Sequence, residues 1–174
     1  MIFFATLAAA SAYLGDAEIL ANIQAGRVVC SNPDDASRTC STISRYEMHP
    51  DGSLLETSEL LIAPAQNVTL TVKAKITLKR GAICGSMLKS DLDEAKVKVA
   101  GQPIPDESNK QALAKLEAGF AGLFGKEACE VLKVEGDQLL KIGSLDGVEV
   151  PLPPKRVRWI SANSGFKVAS PPQS

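Results

Sequence analysis

His49 is the only imidazole in the chain, so a nucleophilic mechanism that relies on histidine would have to run through it. It sits in His49-Pro50-Asp51-Gly52, a turn signal between two extended runs. A hairpin tip is a poor place to hold a base in fixed geometry, and no Gly-x-Ser-x-Gly elbow is present. Acidic side chains gather in Ser90-Asp91-Leu92-Asp93-Glu94. Hard oxygens at that spacing could touch calcium, but the stretch lacks the glycine and distal glutamate of a complete calcium loop and reads as a solvated connector or helix start. Asp91, Asp93 and Glu94 remain the candidates for carboxylate-based hydrolysis. Neither a Walker-type nor a dinucleotide-type phosphate loop occurs.

Sulfur chemistry is the next possibility. Cys30, Cys40, Cys84 and Cys129 make an even set with no Cys-x-x-Cys pair, and with a single histidine they do not form a zinc site. Disulfides in an oxidising compartment suit them better. Of the three possible pairings, Cys30–Cys40 is favoured because Asn32-Pro33-Asp34-Asp35 folds the chain back between them, which leaves Cys84–Cys129. No metal or cofactor is expected. Lys155-Arg156-Val157-Arg158-Trp159 is the most suggestive surface: on a strand, Arg156 and Arg158 share one face and Val157 and Trp159 the other. Lys155, Arg156, Arg158 and Trp159 are therefore the candidate contact site for an acidic partner, with a core tryptophan under a charged outer face as the plainer reading.

Composition narrows the classes. The net charge of −1 gives no bulk argument for nucleic acid or an anionic membrane surface. Ile2 to Ala10 is a short apolar run followed by Ala10-Ser11-Ala12, small residues at the positions a signal peptidase requires. Residues 1–12 are read as a signal peptide, 13–169 as one domain and 170–174 as a flexible tail. The apolar run is shorter than the roughly 20 residues that a bilayer-spanning helix needs, and no other transmembrane candidate occurs.

The elements that must position these residues follow from periodicity. Asn67 to Arg80 alternates strictly: Val68, Leu70, Val72, Ala74, Ile76 and Leu78 on one face, Thr69, Thr71, Lys73, Lys75, Thr77 and Lys79 on the other. Around this central strand, further extended runs neighbour each other in sequence and predict a meander of antiparallel strands. Asp16 to Gly26 predicts a short amphipathic helix, capped by Asp16 and laid against the sheet. Ser108-Asn-Lys-Gln111 matches a capping box and predicts a longer helix over about residues 108–124, with Leu113, Leu116, Phe120, Leu123 and Phe124 as its apolar stripe. The expected fold is α+β: an antiparallel, mostly meander sheet packed against one longer and one short amphipathic helix and stapled by two disulfides.

Two blocks together carry a resemblance. One is Ile23-x-x-Gly26-x-x-x-Cys30-x-x-Pro33-Asp34-x-x-x-x-Thr39-Cys40-x-x-Ile43-x-x-Tyr46; the other comprises Gly125-x-x-x-Cys129, Glu135-Gly136-Asp137, Asp146-Gly147 and Val157-x-Trp159-Ile160. They resemble small, uncharacterised exported proteins of Gram-negative bacteria. The resemblance implies export and paired cysteines, and it brings no activity, cofactor or site residue with it. The leading expectation is a non-catalytic periplasmic or secreted binding or structural protein with a protein or envelope partner. The alternatives are an exported hydrolase using carboxylates and a small enzyme inhibitor presenting the Cys30–Cys40 loop. A deep polar pocket with two or more carboxylates would favour the hydrolase, an exposed Trp159 partner binding, and a rigid projecting loop the inhibitor.

Overall fold

A computed structural model of the chain describes residues 12–171. In chain order its elements are β1 (Ala12–Tyr13), α1 (Asp16–Gln24), β2 (Arg27–Ser31), β3 (Thr39–Cys40), β4 (Thr42–Met48), β5 (Leu54–Ala63), β6 (Val68–Lys79), β7 (Ala82–Ser86), α2 (Lys89–Asp93), β8 (Lys96–Val99), β9 (Gln102–Pro103), α3 (Asp106–Phe120), β10 (Glu127–Glu135), β11 (Gln138–Leu145), β12 (Val148–Glu149), β13 (Lys155–Ser161) and β14 (Lys167–Val168), with one-turn 3-10 helices at Pro64–Gln66 and Ala121–Leu123. Of the predicted signal segment only Ala12 falls among the described residues, where it pairs with Val134.

The expected α+β layer is overturned. The strands do not lie as an open sheet under two helices; eight of them, β2-β4-β5-β6-β7-β10-β11-β13, pair antiparallel in that order, and β13 pairs back onto β2 to close a barrel. The closing register runs Val157↔Ser31, Trp159↔Val29 and Ser161↔Arg27. Closure removes the exposed edges that an open sheet would leave. In β6 the alternation is as expected from Val72 onward, with Ile76 buried and Lys73, Lys75, Thr77 and Lys79 exposed. Thr69, expected on the wet face, is instead buried and donates its hydroxyl to Glu59 at 2.9 Å. What covers the apolar side differs. Ala74, Ile76 and Leu78 face the barrel interior, and only the first third of the strand meets the longer helix. A period of two states which side is buried, not what buries it.

Short turns make the meander possible. β6 and β7 are joined by Arg80-Gly81, both at positive φ (52° and 82°), the two-residue turn that matches strand twist. At Gly81 a Cβ would stand 2.5 Å from the Leu14 carbonyl oxygen. The bare backbone thus lets this hairpin tip dock on the start of α1, where the Gly81 N–H donates to the Asp16 carboxylate. Asp16 is therefore not the cap of α1. Gly15 holds that position, and the Glu18 side chain accepts from its N–H at 3.0 Å. The helix does not lie flat on a sheet. It plugs one end of the barrel, with Ile19 and Ile23 packed among Val29, Leu54, Ile76, Ile83, Leu132 and Val157.

At the other end the β5–β6 hairpin extends past the barrel rim. There β8 pairs with Val68 to Thr71, on the same edge of β6 whose Ile76 to Lys79 pair with β7. The segment between β7 and β10 packs on this extension. Leu92, Ala95, Val97 and Leu113 join Leu70 in a second core, with Leu116, Phe120 and Phe124 against it. Helix α3 begins at Asp106, two residues before Ser108, so Ser108 is not its cap: Pro105 is the N-cap residue and Asp106 and Glu107 lie in the first turn, where acidic side chains complement the helix dipole. Asn109 is buried and turns inward, accepting from Val97 N–H at 2.8 Å and donating to the Ala95 carbonyl at 3.0 Å.

Both disulfides form. Cys84 and Cys129 lie directly opposite each other on β7 and β10 and bridge the one barrel seam whose strands are separated by a long insertion. Cys30–Cys40 sits in a cluster with Val28, Ile43, Ile160 and Val168, where β14 runs parallel to β3. Ser170, placed at the start of the predicted tail, donates its hydroxyl to the Pro64 carbonyl. No helix among the described residues is long and apolar enough to cross a membrane.

Candidate functional site

Inward positions of the barrel fall into two zones. The α1 end is apolar and aromatic, with the Tyr46 and Trp159 rings 6.0 Å apart. Beyond it lies a cavity of about 240 Å³. Its walls differ in character. On β6 and β7 it is lined by Val72, Ala74, Ile76, Ile83 and Gly85, with Ser86 at the end of β7. On β4, β5, β10, β11 and β13 it is lined by Thr42, Ser44, Glu56, Ser58, Glu130, Lys141 and Lys155, together with the apolar Leu60 and Ala128. Gly85 keeps the apolar wall thin. A Cβ there would come within 2.9 Å of the Lys75 carbonyl oxygen and 3.0 Å of the Ile76 side chain.

Each polar residue is delivered by strand alternation. Leu54, Glu56, Ser58 and Leu60 share the inner face of β5, and Ser44 pairs with Ser58 across the ladder. The Ser44 and Ser58 hydroxyls are 2.6 Å apart, and Ser58 donates to a Glu56 carboxylate oxygen at 2.7 Å. Glu130 follows Ala128 and precedes Leu132 on the inner face of β10, and Lys141 lies across from it at 2.9 Å. Glu56 has no lysine or arginine within ion-pair distance among the described residues. It is half-buried because the cavity reaches it, yet its carboxyl stands deep among protein atoms. Burial first, and the Glu130 charge second, push its pKa up from the ordinary glutamate value, against opposing hydrogen bonds from Ser58 and Ser44 and the nearby charge of Lys141. The Tyr46 hydroxyl is raised well above its usual value by burial, with Glu56 and Glu130 adding to the effect.

The residues singled out in the sequence are placed elsewhere, except one. Lys155 lines the mouth of the cavity, while Val157 and Trp159 point into the apolar end. Arg158 is engaged internally: its guanidinium holds both oxygens of Asp35 at 2.6 and 3.2 Å and lies 5.3 Å above the Phe166 ring. That pairing pulls the Asp35 carboxyl below its ordinary range. Arg156 donates to the Pro33 carbonyl at 3.4 Å. The basic pair thus ties the Cys30–Cys40 loop to β13. Asp91 accepts from Leu88 N–H at the start of α2 and Asp93 pairs with Lys89, so the acidic stretch is helix-capping surface and converges on nothing. His49 is exposed at its hairpin turn. Cys84, Glu127 and Cys129 are the one group of three potential ligands close enough to share a metal ion among the described residues, and their two sulfurs are bonded to each other.

Glu56, Ser44, Ser58, Glu130 and Lys141 escaped the sequence reading. Their signal was present: a charge at an inward position flanked two residues away by apolar side chains, as in Leu54-x-Glu56 and Glu130-x-Leu132. Comparison with family models, with curated proteins and with solved structures gives no match for this chain.

Proposed function

We propose that this chain is a non-catalytic binding protein that holds one small molecule inside its barrel. The observation that carries the reading is the cavity of about 240 Å³ between an apolar wall and a converging polar wall. Eight strands are the number at which a barrel either fills with side chains or encloses a single small ligand. A site that joins apolar surface to a few placed polar groups is what ligand recognition requires. The volume sets the scale: cavities of about 150 Å³ accept benzene, so one ring with a short chain fits here. Two disulfides in one domain support an oxidising, periplasmic or secreted location.

The test is a ligand-observed NMR screen of compounds of that size against the wild type and Ala74→Phe, which fills the cavity from its apolar wall. Binders to the wild type that are lost in the variant support the reading. An absence of binders, or equal binding to both proteins, contradicts it.

One observation favours a second reading, hydrolysis by carboxylates. Glu56 and Glu130 line one cavity in different environments, Glu56 with no cation at ion-pair distance and Glu130 paired with Lys141. Such a pair separates into a proton donor and an ionised partner. Turnover of a small ester or glycoside, abolished in both Glu56→Gln and Glu130→Gln, would move the assignment there. For the inhibitor reading, Arg156 and Arg158 hold the Cys30–Cys40 loop in place while Asp35 and Ala36 stay exposed on it.

A further inference from the structure

The charges inside the barrel point to the chemical class of the ligand, an inference that rests on the small-molecule reading above. We propose that the cavity takes a small primary amine, its ammonium group seated on Glu56 and its apolar body against Val72, Ala74, Ile76 and Ile83. Four ionisable side chains line the cavity: Glu56, Glu130, Lys141 and Lys155. Glu130 and Lys141 satisfy each other at 2.9 Å. Lys155 is exposed at the mouth, where its ammonium group reaches water. Glu56 is left over: a carboxylate taken out of bulk water with no cation at ion-pair distance, in the same cavity as a second carboxylate and a lysine, Lys141, that is already committed to Glu130.

An isolated buried charge is costly unless it is paired and hydrogen-bonded. A ligand ammonium group supplies that pair. An anionic ligand beside Glu56 would set two negative charges together with Lys141 already paired to Glu130 and Lys155 out at the mouth, and a neutral one would leave Glu56 without an ion-pair partner. The donor count also fits. An ammonium group has three N–H donors, and the Glu56 carboxylate stands beside the Ser44 and Ser58 hydroxyls, which can accept. On the opposite side β6 and β7 present Val72, Ala74, Ile76, Ile83 and Gly85, with Ser86 at the end of β7 as the one polar side chain, so the body of the ligand meets mainly apolar atoms and backbone. The polarity of the cavity thus orients the molecule, amine toward β4 and β5 and hydrocarbon toward β6 and β7.

The experiment uses three probes of matched size, phenethylamine, 3-phenylpropionate and 2-phenylethanol, titrated into the oxidised full chain at neutral pH by calorimetry. The same titrations are run on Glu56→Gln and on Glu94→Gln, an exposed control on the inserted segment. A charge-assisted hydrogen bond is worth enough to favour phenethylamine by about tenfold or more over both other probes. Glu56→Gln should erase that preference and Glu94→Gln should keep it. Melting curves of both variants establish that they are folded. Equal or tighter binding of the alcohol or the carboxylate overturns the amine assignment and leaves the small-molecule reading standing. An unchanged amine preference in Glu56→Gln overturns the role of that residue. Failure of all three probes to bind at millimolar concentration overturns both.

Discussion

Removing the Cys84–Cys129 bridge tests how the barrel is held closed. β7 and β10 are adjacent in the wall but separated by the inserted segment, and the bond lies across them with a sequence separation of 45. Closing a loop of that length in the unfolded chain costs about 13 cal/mol/K, which is about 4 kcal/mol at room temperature in the chain-entropy model. The Cys30–Cys40 bridge spans only 10 residues and gives about 2.7 kcal/mol by the same relation. For a chain of this size each kcal/mol moves the melting temperature by about 2–4 °C. Cys84→Ala/Cys129→Ala should therefore melt about 8–16 °C below the wild type. The assay is thermal and denaturant unfolding of the oxidised proteins, with the denaturant slope checking that the unfolded states are comparable. A loss under about 1 kcal/mol with an unchanged slope would refute the reasoning, since the seam would then close without its covalent tie.

Other expectations concern single residues. Glu56→Gln should stabilise the protein at neutral pH. The folded-state pKa of Glu56 is raised, by burial and then by Glu130, so its ionisation costs stability as pH climbs from the unfolded value through the folded one; Tyr46 and Lys141 face the same space. The advantage of the variant should shrink as pH falls into the ordinary carboxylate range, where both states hold the proton, and equal stability of the two proteins across the whole pH range would contradict this. Asn109→Ala strands the Val97 N–H and the Ala95 carbonyl in the second core, which should cost about 2–4 kcal/mol in denaturant unfolding and speed amide exchange at Val97. Gly81→Ala places a Cβ against Leu14 at a positive φ; a loss of about 1–3 kcal/mol is expected, with exchange faster in α1.

Several features were legible in the chain because they depend on local chemistry. The alternation of β6 correctly put Ile76 inside and Lys73 and Lys75 outside, and the even cysteine set indicated disulfides. Barrel closure was not legible. An inner face covered by a helix and one covered by the opposite wall have the same period, and the pairing of β13 with β2 joins residues about 130 apart in sequence, which no local pattern encodes. The apolar stripe of α3 made the helix look like the cover for the whole strand, yet it packs only on the part around Leu70. Charges in a run, such as Asp91 to Glu94, stand out in the chain yet lie on the surface of the inserted segment. The cavity is built from single polar residues spread over five strands, and only the closed topology brings Glu56, Glu130 and Lys141 into one space.

The most direct check on the interior site is a methyl-labelled NMR titration of the oxidised protein with phenethylamine, following Ala74, Ile76 and Ile83. Shifts that saturate together at these three inward methyls in the wild type, and are absent at Ile76 and Ile83 in Ala74→Phe, are the predicted result. Shifts confined to exposed apolar residues such as Val148 and Leu152, with the three inward methyls unmoved, would contradict a ligand site inside the barrel.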